Sequence, residues 1–107
     1  MTDSVAHIVE PFVRRGLFDT PEDAVAEMAR DYVLRQIEHY RDIVEAYEAK
    51  YGMTYERFDA YLRARSERLT AQGGSALSQA VMLEEEDAFD WKTAREMLRS
   101  WLGLQSM

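Results

Sequence analysis

The sequence predicts an all-α protein of helical hairpins, built on one long central helix that runs from about residue 20 to residue 51. That stretch contains no glycine, and its only proline, Pro21, stands where a helix can begin. Three further segments repeat apolar residues at the three- and four-residue spacing of a single helix face. The pattern also predicts a separate C-terminal helix and a dimeric assembly.

Both ends of the central helix carry boundary signals. Thr20 is a good N-cap, and Glu22 and Asp23 place negative charge near the positive end of the helix dipole. Gly52 follows at the other end, where a helix stop is expected. About 30 residues of straight helix span about 45 Å, whereas a compact domain of this size has a radius of gyration of about 13 Å. We therefore expect the helix either to bend or to be covered by a second chain.

One face of the central helix carries a seam of six apolar residues at alternating spacings of four and three. They are Val33, Ile37, Tyr40, Val44, Tyr47 and Tyr51. Such spacing is typical of a contact between two helices. Two interpretations are open: either the seam is buried against other helices of its own chain, or it is the interface of a homodimer.

The N-terminal residues allow two local structures. Apolar residues on one helical face favour a helix from about Ser4 to Arg15, which Gly16 would end. Pro11 opposes this helix, because proline in a helix interior costs about 3 kcal/mol. The alternative is an extended piece at Val5–Val9, followed by a helix with Pro11 in its first turn.

A third helix is expected over residues 55–69, with Thr54 as its cap. Because only residues 52–54 separate it from the central helix, we expect the two helices to be antiparallel neighbours. Its arginines are interspersed with Asp59 and Glu67, a pattern that favours an exposed face laced with salt bridges.

Composition divides the chain into three parts. Residues 1–70 are the expected helical dimerisation domain, and residues 71–78 are a flexible linker around Gly73 and Gly74. Residues 79–107 form an acidic and aromatic segment in which Asp90 can cap a last helix. This segment is the predicted partner-binding part of the chain.

The C-terminal segment carries six apolar residues as candidate partner contacts. They are Phe89, Trp91, Met97, Leu98, Trp101 and Leu102. If the segment folds back, Trp91, Leu98 and Trp101 complete the core. If it does not, these side chains are anchors for a protein partner, since Trp is enriched at binding hot spots. The acidic run Glu84–Asp87 beside them favours a basic partner.

Several classes of function are not expected. The chain has no cysteine, and neither His7 nor His39 has a partner at metal-motif spacing, so we expect no metal, no cofactor and no enzyme activity. A net charge of −7 argues against broad nucleic-acid binding. No signal-peptide pattern and no apolar run of membrane-spanning length occurs, which predicts a cytoplasmic protein that does not bind a membrane.

A family likeness is carried by the stretch VRRGLFDTPEDAVAEMARDYV, which resembles the helical portion of ribbon-helix-helix antitoxins. The matching residues are Gly16, Phe18, Thr20, Glu22, Ala24 and Val25. The longer layout is similar to small antitoxin-like proteins found beside RNase toxins in prokaryotic toxin–antitoxin pairs. The resemblance implies a dimer that neutralises a basic toxin by steric occlusion.

Two alternative functions remain open beside the antitoxin. One is a self-contained structural or adaptor domain with no toxin partner. The other is a DNA-binding transcriptional repressor. A ribbon-helix-helix protein reads DNA with a polar or basic N-terminal strand, and residues 2–9 contain no Lys or Arg, so nucleic-acid binding is the weaker expectation.

Overall fold

The computed structural model describes residues 3–71 and 79–105, which form four α-helices. Their bounds are α1 Asp3–Arg14, α2 Pro21–Tyr51, α3 Tyr55–Ala71 and α4 Gln79–Gln105. No strand occurs within these ranges, so the prediction of an all-α fold is confirmed. The expected linker at 71–78 lies outside the described residues, except for Ala71, which is the last residue of α3.

The two ends of α2 are set by the predicted residues. The Asp23 backbone N–H donates to Thr20 Oγ1 at 3.0 Å, which supplies one of the first N–H groups of the helix with an acceptor. Gly52 has φ 64°, and its N–H donates to the Glu48 carbonyl at 2.7 Å. Because side chains disfavour positive φ, glycine fits this stop.

α1 is a continuous helix, so the alternative with an extended piece at Val5–Val9 is not the one observed. Pro11 lies inside it and is exposed, although proline has no N–H to donate to the carbonyl one turn earlier. Gly16 ends the helix with φ 77°, and the Leu17 N–H donates to the Phe12 carbonyl at 3.0 Å. This bond and the positive φ of Gly16 are typical of a Schellman motif, which turns the chain back towards α2.

α1 packs against the beginning of α2. Val9 of α1 and Ala24 of α2 are both buried there. Phe18, which precedes the cap, is half-buried, whereas Leu17 is 63% exposed. The first third of α2 therefore packs on the N-terminal helix.

α4 runs antiparallel to both α2 and α3. Along α2, Tyr47 stacks on Trp91, and the earlier residue Tyr32 contacts the later residue Trp101. Along α3, Arg65 pairs with Glu84, near the start of α4. Near the start of α3, Glu56 pairs with Arg95 at 2.5 Å, further along α4. Consequently α2 and α3 point in the same general direction along the molecule.

The expected antiparallel pairing of α2 with α3 was therefore wrong. A three-residue turn fixes how far apart two helix ends lie, but it does not fix the direction in which the second helix leaves. The apolar faces of α2 and α3 are instead buried against α4, which spans the joint between them. Tyr51 and Phe58 touch across this joint, with ring centroids 4.1 Å apart.

α4 also begins well before the expected cap at Asp90. It is helical from Gln79 onwards, and Asp90 is an exposed residue in its interior. No Gly or Pro interrupts residues 79–102, and Ala, Met, Leu and Glu there are strong helix formers. The acidic run is consequently part of the helix and not a segment that precedes it.

The length conflict of α2 is resolved by an elongated molecule. The radius of gyration is 21.9 Å, and the principal extents are 70 × 24 × 22 Å. α1 covers the first part of α2, and α4 covers much of the remainder. Two partners thus cover successive parts of the long helix, so the helix has no need to bend back on itself.

The main core lies where α2, α3 and α4 meet. Trp91 is fully buried, and Phe58 and Leu62 of α3 pack with it. Partly buried apolar residues surround this cluster: Val44, Tyr47, Tyr51, Met53, Tyr55 and Ala88. Ring centroids of Tyr47 and Tyr55 lie 5.7 and 5.5 Å from that of Trp91. The indole therefore joins all three helices through aromatic contacts.

We expect the Trp91→Ala variant to be destabilised by about 3–5 kcal/mol, because it removes the largest side chain of the core. Phe89→Ala is the matched control, since Phe89 is 70% exposed on the same helix, and it should change stability by less than about 0.5 kcal/mol. Urea unfolding followed by circular dichroism measures both. Equal stability of the two variants would contradict the assignment of Trp91 to the core.

Candidate partner-binding surface

The structure separates the six candidate partner contacts of the C-terminal segment. Trp91 is fully buried within its own chain. Four others are half-buried: Met97, Leu98, Trp101 and Leu102. Phe89 alone among the six is largely exposed, at 70%. Trp91 therefore follows the alternative in which the C-terminal segment folds back and completes the core. Phe89 is the residue that can contact a partner in this conformation.

The six-residue seam of α2 lies on its own chain as well. Ile37 is buried, and the other five are half-buried: Val33, Tyr40, Val44, Tyr47 and Tyr51. Val44, Tyr47 and Tyr51 pack against the Trp91 cluster. The seam thus packs within its own chain, which is the first of the two interpretations that the sequence left open. A second chain could bind to the seam only if α4 first moved away from it.

The solvent-facing side of α4 combines apolar and acidic side chains. Met82 and Phe89 are seven residues apart, which places them on the same helix face, and they are 53% and 70% exposed. Exposed carboxylates surround them: Glu85, Glu86, Asp90 and Glu96. We call these six residues the outer face of α4. The frame is mainly acidic, although it also contains the exposed Lys92, one turn after Phe89. Apolar anchors within a frame of predominantly one charge sign are typical of a surface that binds a partner of opposite charge.

The opposite side of α4 uses its carboxylates internally. Glu84 forms an ion pair with Arg65, whose side chain is only 14% exposed. Arg65 also lies over the Tyr61 ring, 5.3 Å from its centroid, so it is not part of the exposed arginine face that the sequence predicted. Within the acidic run Glu84–Asp87, the first and last residues hold the fold together. The middle two are exposed, although Glu85 also lies 3.9 Å from Arg65.

Asp87 is the best-bonded carboxylate of the run. Its Oδ2 accepts from Lys50 Nζ at 2.6 Å and from the Tyr51 hydroxyl at 2.5 Å. Partial burial disfavours the charged carboxylate, but the hydrogen bonds from Lys50 and Tyr51 outweigh it, so the pKa of Asp87 lies below its ordinary value. The pKa of Tyr51 is raised, first by burial and then by its bond to Asp87.

Met82 was not among the partner contacts predicted from the sequence, although a signal for it was present. Its seven-residue spacing from Phe89 indicates a shared helix face only if residues 82–89 are helical. Because the last helix was expected to start after Asp90, that spacing was not used. Leu83, which is also 53% exposed, lies beside this face and was missed for the same reason.

We expect Asp87→Asn to lower the free energy of unfolding by about 1 kcal/mol near neutral pH, because the charge that binds Lys50 and Tyr51 is lost. The pKa of Asp87 in the folded chain is below its ordinary value of 3.8. Its contribution is therefore complete above that pH and is lost as the pH falls through the lower folded-state pKa.

The difference in stability between the wild type and Asp87→Asn should accordingly shrink to zero on acidification. Urea unfolding at a series of pH values measures it. Asp90→Asn, on the outer face, is the matched control and should match the wild type at each pH. A difference that persists well below the ordinary pKa of a carboxylate would refute the assigned role of Asp87.

Within residues 3–71 and 79–105, no group of three or more His, Asp or Glu side chains is placed to hold a metal ion. None of the helices described is both long and apolar enough to cross a membrane. Comparisons with protein-family models, with curated proteins and with solved structures gave no match.

Proposed function

We propose that this chain is an antitoxin-like interaction protein that binds a basic protein toxin, such as an RNase, and neutralises it by steric occlusion. It carries out no catalysis in this proposal, and it acts in the cytoplasm. The observation that carries the proposal is the outer face of α4. There Phe89 is 70% exposed among exposed carboxylates.

The arrangement suits a basic partner for two physical reasons. The net charge of −7 draws a cationic protein towards the chain, and the exposed carboxylates of the outer face orient it on arrival. Phe89 and Met82 then supply apolar surface that is removed from water on binding. A molecule 70 Å long can cover much of the surface of a small toxin.

The two alternatives are supported less well. A structural or adaptor domain with no toxin partner accounts for the burial of Trp91, but not for Phe89 on an acidic surface. A DNA-binding repressor of the ribbon-helix-helix type needs a polar or basic N-terminal strand, whereas residues 3–14 form a helix. The arginine pair Arg14–Arg15 that ends this helix is exposed but has no basic neighbours in sequence.

The test uses the protein encoded by the adjacent reading frame. We expect its expression to arrest growth and co-expression of the wild-type chain to relieve the arrest. Phe89→Glu should lose the relief, because it places a charge at the apolar anchor. Ile8→Glu is the matched control, since Ile8 is equally exposed, at 69%, but lies on α1, and it should relieve the arrest as the wild type does.

The outcomes separate the function from the surface. If the neighbouring protein causes no arrest, or the wild-type chain does not relieve it, the antitoxin function is wrong. If Phe89→Glu relieves the arrest fully, the function stands and the outer face is not the toxin-binding surface.

We also expect the milder Phe89→Ala to weaken toxin binding by about 2 kcal/mol, or about thirtyfold in Kd. Calorimetric titration of the purified toxin measures the change. The affinity should fall as the salt concentration rises, because exposed charges are screened. An affinity that does not depend on salt would contradict the role of the carboxylates.

A further inference from the structure

The spacing of the α2 seam continues upstream of the residues that α4 covers. Arg30, Ala26 and Asp23 precede Val33 at successive intervals of three, four and three, so they extend the same stripe towards the N-terminus. All three are exposed. We call these three residues the upstream stripe. It is the continuation of a helix-packing face for which the described chain supplies no packing helix.

The upstream stripe is left open by the placement of the neighbouring helices. α1 packs where Ala24 is buried, on another side of α2. The last residues of α4, Leu104 and Gln105, reach only the level of Ala29 to Leu34. From Arg30 to Asp23 the stripe faces solvent, over about two turns of helix.

Two shallow depressions mark this surface, and they meet at Arg30. The first, of about 340 Å³, lies towards the start of α2 and is lined by Leu17, Asp23 and Ala26 among others. The second, also about 340 Å³, lies at the end of α4 and is lined by Leu34 and Leu104 among others. Three leucines at the two ends are unusually exposed: Leu17 at 63%, Leu34 at 42% and Leu104 at 48%.

We propose that a second copy of this chain binds here, with the two α2 helices antiparallel across the upstream stripe. The charge pattern favours a second copy of the chain as the binding partner and an antiparallel orientation of the two helices. Asp23 and Arg30 stand seven residues apart on the same face, so an antiparallel copy brings each Arg30 to the Asp23 of the other chain. A parallel copy in register would place Arg30 against Arg30.

The same twofold arrangement matches the apolar ends. With Ala26 near the axis, Leu34 and Leu104 of one copy face Leu17 of the other. The small side chain of Ala26 lets the two backbones approach closely at the centre. Charged residues at heptad positions fix the register of a helix pair at a cost in affinity. Because the stripe is short, the dimer is a weak one that forms in the micromolar range.

This interface differs from the seam that the sequence suggested for a dimer. It begins where the coverage by α4 ends, so no helix has to leave the core to make it. It also shares no residue with the outer face of α4, and therefore the inference does not depend on the proposed toxin binding.

Sedimentation of the full chain across the micromolar range tests the proposal. We expect a reversible dimer, weakened about tenfold or more by either Asp23→Arg or Arg30→Asp, because each places like charges opposite each other. The double variant with both changes swaps the charges and should restore the dimer. Arg35→Asp is the matched control: Arg35 lies on another side of α2, and like Arg30 it is exposed and paired within its own helix.

Each outcome decides the proposal. Circular dichroism first establishes that the variants are as helical as the wild type. A wild-type monomer throughout the range would overturn the proposal, and it would point to a different protein as the occupant. A dimer that neither single charge reversal weakens, or that the double variant fails to restore, would show that the copies meet elsewhere.

A cysteine cross-link gives a second test that does not depend on charge. The chain has no native cysteine, so Ala26→Cys introduces a single thiol near the proposed axis. Under mild oxidation it should form a covalent dimer rapidly, because a disulfide needs Cα atoms within about 7 Å. Ala46→Cys, exposed on the opposite side of α2, is the control. Equal cross-linking at both positions, or none at Ala26→Cys, would overturn the twofold arrangement.

Discussion

The contact of Trp91 with α2 and α3 is the interaction on which the remaining structure depends. Neither α2 nor α3 buries its apolar face against the other, because the turn at residues 52–54 lets them continue in one direction. The apolar faces of both helices are buried against α4. Trp91 lies at the joint between them, where its ring contacts Tyr47, Tyr55 and Phe58. Loss of this anchor would leave two helices in line with little to hold them together.

The division of charge along α4 follows from that anchor. Once Trp91 faces inwards, the 3.6-residue period of the helix fixes where the neighbouring carboxylates point. Glu84 and Asp87 lie on the inner side and find Arg65, Lys50 and Tyr51 as partners. Glu85 and Glu86 lie on the outer side, where Glu85 is 3.9 Å from Arg65 and Glu86 faces solvent. One acidic run thus stabilises the core and also supplies an acidic surface beside Phe89.

The sequence predicted the helix ends set by local residues well. It did not predict which helices pack against each other. Thr20, Gly16 and Gly52 act on their nearest neighbours through backbone bonds, so the residue type alone identified the helix ends they set. The seam on α2 indicated correctly that a helix would cover it. Its spacing could not say which helix, because any apolar helical face is a suitable partner. The start of α4 was misplaced, since Asp90 is a good cap in sequence and an ordinary surface residue in an unbroken helix.

The elongated shape connects these observations. A long helix can be covered by one partner along its whole length or by more than one partner in sequence. Here α2 is covered by α1, of 12 residues, and then by α4, of 27 residues. These two partners leave a gap between them, and the gap between α1 and the end of α4 exposes the upstream stripe. The exposed apolar surface around Phe89 arises differently, on the outer side of a helix whose inner side is already buried. Each helix of this elongated molecule buries only one of its faces. Apolar residues on the other faces therefore stay available for contact with other proteins.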